Sequence, residues 1–117
     1  CVAFLSINPM APGHTLVVPI EEIDHWIDAP ADLSRHLFEV TRCIALAQER
    51  AYRCERVGVI IAGYEVPHTH IHVIPTNQLA QLSFAQAAAH VEPDDLAREA
   101  TRIRRTLAEM GYRQASA

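Results

Sequence analysis

The stretch EVPHTHIHVIP, residues 65–75, places His68, His70 and His72 at every second position. Imidazoles at that spacing can hold a metal ion or handle a phosphoryl group; the plainer alternative is a polar run on an exposed strand. In an extended strand, residues two apart share a face. His68, His70 and His72 then project together, while Thr69, Ile71 and Val73 point to the other side. Ile71 and Val73 have the character of core positions, which fixes the register.

The spacing is poor for a single ion. Zinc–nitrogen bonds are ~2.0–2.1 Å, and at ~3.3 Å per residue the Cα atoms of His68 and His72 stand about 13 Å apart. An ion would take two of the three rings, so no metal and no other cofactor is expected. Phosphoryl chemistry uses the row better. A neutral imidazole is a capable nucleophile, with an ordinary pKa of ~6.5 that keeps much of it neutral at physiological pH. It has to be held in one tautomer, and flanking imidazoles can donate to a phosphoryl oxygen where charge develops. His70, in the middle, is the natural attacking group. His14 follows APG, where a tight turn can aim it at a neighbouring strand. His25, His36 and His90 have no partner pattern and read as solvated.

The elements that must position these groups are legible in outline. CVAFLSI (1–7) reads as a strand stopped by NPMAPG, and HTLVVPI (14–20) as a second strand closed by Pro19. EEIDHWIDAP is polar and irregular, with Asp28 as a candidate helix cap near Pro30. Leu33, Leu37, Val40, Ile44, Ala47 and Ala51 recur at helical steps on one face, with Arg35, Glu39, Arg42 and Glu49 elsewhere. RVGVIIAG (56–63) predicts a third strand and residues 68–75 a fourth, joined through GYEVP. Ser83 and Gln86 form a capping-box pattern before an alanine-rich turn. Pro93, Asp94 and Asp95 open a last helix striped by Leu96, Ala100, Ile103, Leu107 and Met110 and stopped at Gly111. The expected fold class is α+β, an antiparallel sheet with helices packed on one face, continued across a homodimer.

The 117 residues suit one domain, 1–117, with the helices of 83–111 at its C-terminal end. A formal charge of −4 argues against a nucleic-acid polymer as ligand but leaves room for a single nucleotide. No run approaches the ~18 apolar residues of a membrane span. Cys1, Cys43 and Cys54 form no C-x-x-C pair, which fits reduced thiols and a cytoplasmic setting, with Cys43 along a buried helix edge. The chain begins at Cys1 without an initiator Met or signal-peptide pattern, directly on an apolar strand-like run, so the true N-terminus is expected to be missing.

HTHIHVI resembles the signature of the histidine triad (HIT) family, His-x-His-x-His followed by two apolar residues, and INPMAPGHTLVVP is similar to that family's upstream segment. The resemblance covers roughly residues 2–75. It implies binding of a purine nucleotide or nucleotidyl conjugate and cleavage at the α-phosphate through a covalent nucleotidyl-histidine. By position, it implies His70 as nucleophile, His72 and His14 as aids to phosphate binding and leaving-group protonation, and His68 as support. It likewise implies that the backbone amides of Gly63 and Val66 face the phosphate, and that Phe4, Leu5, Ser6, Ile7 and Leu16 line the nucleoside pocket. A third His in the triad, rather than Gln, favours the hydrolase branches, phosphoramidase or dinucleoside polyphosphate hydrolase. The chain departs from the family pattern at Ser6, where an Asp holding the ribose is frequent, at Tyr64 and Glu65, where Gln and Ser or Thr are common, and at Thr76, where Arg often stands. The resemblance also implies a preceding N-terminal helix and strand that are missing here, and the implied machinery is complete while the implied recognition is altered. Three readings stay open: a nucleotidyl hydrolase, a nucleotide-binding module without turnover, and a His-x-His metal protein.

Overall fold

A computed structural model of the protein describes residues 1–115. Six principal elements follow one another: β1 (Val2–Leu5), β2 (Thr15–Val18), α1 (Ala31–Tyr52), β3 (Arg56–Ile60), β4 (Ile71–Thr76) and α2 (Pro93–Glu109), with short 3₁₀ turns between and after them. The strands form one antiparallel sheet in the order β1-β2-β4-β3. The α+β architecture, with helices on one face, is the one the sequence predicts.

Alternation along the strands decides what each face does. Val17, Ile71 and Val73 turn towards the helices and pack with Leu37, Ile44 and Ala47 of α1 and Ile103 and Leu107 of α2. On the other face Ile74 packs with Met10 and Ala11 of the turn between β1 and β2. That turn ends at Gly13, whose φ of +89° is left-handed, and a Cβ there would lie 2.6 Å from the Tyr52 ring. Only glycine meets both conditions without strain.

The helices follow their stripes. Leu37, Ile44 and Ala47 are buried on α1, and Leu96, Ala100, Ile103, Leu107 and Met110 are buried or half-buried on α2. Pro93 opens α2 with Asp94 and Asp95 in its first turn, where the helix dipole favours them. Tyr112 N–H returns to the Leu107 carbonyl at 3.0 Å past Gly111, whose φ is +94°. Cys43 is half-buried on α1. No helix among the described residues is long and apolar enough to cross a membrane.

Several expectations are corrected. The fourth strand begins at Ile71, so His68, Thr69 and His70 precede it. Its partner β2 ends at Val18, where Pro19 has no N–H for a ladder. The segment is tied instead to the loop after β2: Thr69 N–H and Oγ1–H both donate to the Ile23 carbonyl at 2.7 Å. The third strand likewise ends at Ile60, and the first two are shorter than their apolar runs. Asp28 does not cap α1. It lies in a 3₁₀ turn, and Pro30 stands at the cap with no side-chain hydrogen bond. Ser83 Oγ accepts from Ala85 N–H at 3.3 Å but caps only a 3₁₀ turn, and the Gln86 side chain lies outside those described. A reciprocal capping box forms upstream, between Gln78 and Gln81.

Candidate active site

Sheet register places the chemistry. Phe4 pairs with Leu16, Leu16 with His72, and His72 with Ile60, so these residues form a row across the face away from the helices. His14 shares the face of Leu16 and sits just beyond the last β2–β4 pair, Thr15 with Val73.

The hydrogen bonds fix the tautomers of the neutral rings, because a backbone N–H can only donate and a carbonyl can only accept. Met10 N–H donates to His14 Nδ1 at 3.0 Å, which leaves the His14 proton on Nε2. That Nε2–H meets His72 Nδ1 at 2.9 Å, so His72 carries its own proton on Nε2. His70 Nδ1–H donates to the His68 carbonyl at 2.8 Å, which leaves the His70 Nε2 lone pair free. His68 Nε2–H donates to the Pro19 carbonyl at 2.8 Å. One ring is thereby arranged to attack and its neighbour to donate.

His14, His70 and His72 come together; His68 contributes its carbonyl. The His70 and His72 ring centroids are 4.9 Å apart and those of His14 and His72 5.1 Å. The expectation that His70 would stand between two imidazoles is corrected, since the His68 ring turns to Pro19. Among the described residues no three His, Cys, Asp or Glu side chains converge as they would around one ion.

His14 and His72 are buried. Desolvation, then the charge His72 would carry, lowers the pKa of His14 to about 4; desolvation, then the charge His70 would carry, lowers that of His72 to about 4. Both pKa values lie below the ordinary ~6.5 of an unfolded histidine. Between those limits the unfolded chain binds more protons, so stability is fully present above pH ~6.5 and is lost as pH falls towards 4. The slope is at most about 1.4 kcal/mol per pH unit for each ring. Urea midpoints measured from pH 7 to pH 4.5 should fall accordingly, and in a His14→Asn/His72→Asn double variant much of that fall should vanish. An identical profile for the two proteins would contradict the neutral relay.

Around the imidazoles, Leu16 is half-buried, and Phe4 and Ile7 are exposed. Ser6 N–H donates to the His14 carbonyl at 3.0 Å and Ser6 Oγ accepts from Asn8 N–H at 3.1 Å. Gly63 has a φ of +86° with open space where a Cβ would stand, so backbone conformation alone accounts for glycine there. The Val66 carbonyl accepts from His68 N–H at 2.8 Å. Tyr64 and Glu65 are exposed.

Three contributors went unread in the sequence. Phe84 sets its ring edge-on to His72, with centroids 5.3 Å apart. Its segment is strapped to the β1–β2 turn, as Asn8 Nδ2 donates to the Ala88 and Ala89 carbonyls and Ala88 N–H to that of Pro9. No local pattern marks either contact. Gln48 is fully buried on α1 and bonds the backbone beside two of the histidines. A polar residue inside an apolar stripe was the available signal for it.

An antiparallel sheet with clustered imidazoles on one face and helices on the other defines the histidine triad class. The chain matches the HIT domain over residues 1–79 and belongs to that family. It is 34% identical over 80 residues, 64% of the chain and 58% of the relative, to an uncharacterised HIT-like protein of Saccharolobus solfataricus. It is 33% identical to the asymmetrical bis(5′-nucleosyl)-tetraphosphatase of Schizosaccharomyces pombe, over 62% of the chain and 43% of that enzyme. The chain thus spans about half the length of the curated relatives it matches. Its fold is that of a hypothetical histidine triad nucleotide-binding protein of Sulfolobus tokodaii, with a TM-score of 0.81, 23% identity, and coverage of 97% of the chain and 82% of that structure.

Proposed function

We propose that the protein hydrolyses nucleoside phosphoramidates or related nucleotidyl conjugates at the α-phosphate through a covalent nucleotidyl–His70 intermediate. The observation that carries this reading is the tautomer pair: His70 Nδ1–H is held by the His68 carbonyl, and His72 must carry its proton on Nε2. In the first step His70 Nε2 forms a bond to phosphorus while the bond from phosphorus to the leaving nitrogen breaks. A substrate protonated at that nitrogen releases a neutral amine, and His72 Nε2–H donates to the phosphoryl group as charge shifts. Water then displaces His70, which yields the nucleoside monophosphate and a proton. His14 holds His72 in the donating tautomer, and His68 supports His70.

Phe4 and Leu16, in the row with His72, serve as walls for a purine base, with Ser6 and Ile7 completing the nucleoside side; the expectation for Leu5 is corrected, since it pairs with Thr15, turns to the helix face and packs against the core there. The turn from Gly63 to Val66 is the phosphate side. β1 and β3 are the two edges of the sheet, with Val2, Phe4 and Val59 exposed, and pairing of a second copy along an edge would continue the sheet in a homodimer. Free Cys1, Cys43 and Cys54 support a cytoplasmic setting.

The test is turnover of adenosine 5′-phosphoramidate near neutral pH with EDTA present, with an alkaline quench and mass analysis of the peptide bearing His70. Release of AMP and an adenylyl adduct on that peptide are expected. Protein that binds AMP yet releases none from the phosphoramidate would leave a nucleotide-binding module, a reading that Ser6 and Glu65 would then favour.

A further inference from the structure

Gln48 lies wholly inside the protein on α1. Its Nε2 donates to the Gly13 carbonyl at 3.0 Å and to the Val73 carbonyl at 2.9 Å, with the Thr15 hydroxyl at 3.3 Å. Its Oε1, also buried, has no hydrogen-bond partner among the described residues. Reversing the amide would set Oε1 against three acceptors, so the partners fix its orientation. Leu or Met would fill the same space without burying an unpaired oxygen. Packing alone therefore does not account for an amide here.

The gripped carbonyls do. Gly13 immediately precedes His14 and Val73 immediately follows His72. The β2–β4 ladder ends at Thr15 with Val73, so His14 lies where strand pairing has stopped. We propose that Gln48 is a positioning residue whose amide clamps Gly13 to Val73, holds His14 Nε2 at hydrogen-bond distance from His72 Nδ1, and so keeps the His72 proton on Nε2. The catalytic consequence rests on the reading of His70 as nucleophile and His72 as donor; the tautomer consequence does not. Thr15 reinforces the clamp, because its hydroxyl donates to the same Gly13 carbonyl at 2.8 Å.

The decisive variant is Gln48→Met, which keeps length and apolar fill and removes both donors. It should unfold cooperatively while kcat for the phosphoramidate falls roughly 10- to 100-fold and KM changes by less than about 3-fold. Nitrogen NMR of histidine-labelled protein supplies a readout independent of turnover. The wild type should show one tautomer at His14 and at His72, and the variant a mixture. Thr15→Val, a milder lesion at the same carbonyl, should move both readouts in the same direction by less, and it decides the matter if Gln48→Met does not fold. A folded Gln48→Met with wild-type kcat and unmixed tautomers would overturn the proposal, as would Thr15→Val with unmixed tautomers where it is the deciding variant. A wild type without turnover would defeat the hydrolase reading alone, since the NMR comparison still reads the clamp.

Discussion

Replacing His70 with alanine is expected to lower phosphoramidate turnover by ~10⁴-fold or more while AMP affinity stays within a few-fold. The expectation follows from what the side chain is bonded to. Among the described residues the His70 ring has one hydrogen bond, from Nδ1 to the His68 carbonyl, and it is half-buried, so its loss leaves the sheet register and the His14–His72 pair in place. What disappears is the lone pair on Nε2. Steady-state kinetics beside calorimetric titration with AMP separates the two effects. Residual turnover above a few per cent would mean that another group attacks phosphorus, and a parallel collapse of AMP binding would mean that His70 is part of the binding surface instead.

The second large effect is on stability. Gly13→Ala should cost about 2–4 kcal/mol, the sum of a left-handed conformation imposed on a residue with a Cβ and of overpacking. The Tyr52 ring that the new methyl would strike is not free to swing. Its hydroxyl bonds the Glu99 carboxylate, and the Arg102 guanidinium lies 4.5 Å from the ring centroid. Burial, then the bond to Glu99, raises the Tyr52 pKa, so the phenol remains a donor in this contact. Urea unfolding is the measurement, and a fall in midpoint at constant m is the expected form. Combining Gly13→Ala with Tyr52→Leu should recover the overpacking part and leave the backbone part. A single variant within ~0.5 kcal/mol of wild type would show that the turn relaxes without strain.

What the sequence made legible was periodic. Leu37, Ile44 and Ala47 declared the face of α1, Ile71 and Val73 the inner side of β4, and His72 the outer side. These signals are legible because burial acts residue by residue along a regular element. The limits of the strands were not, since Pro19 and the bonds from Thr69 to Ile23 join segments far apart in the chain. The tautomers were beyond reach for a related reason. They depend on the Met10 N–H and on the His68 and Pro19 carbonyls, and backbone groups are the same in every residue. Phe84 illustrates the same gap, for nothing near it in sequence marks the contact with His72.

His14 and His72 stand 58 positions apart, and the Asn8 bonds to Ala88 and Ala89 span 80 and 81. A ribosome therefore releases α1, whose backbone hydrogen bonds are local, well before the imidazoles can meet. Loops of this size close late and slowly compared with a helix. His14 is thus made long before the ring whose tautomer it selects, and the pair assembles only when β4 and the strap behind it fold home.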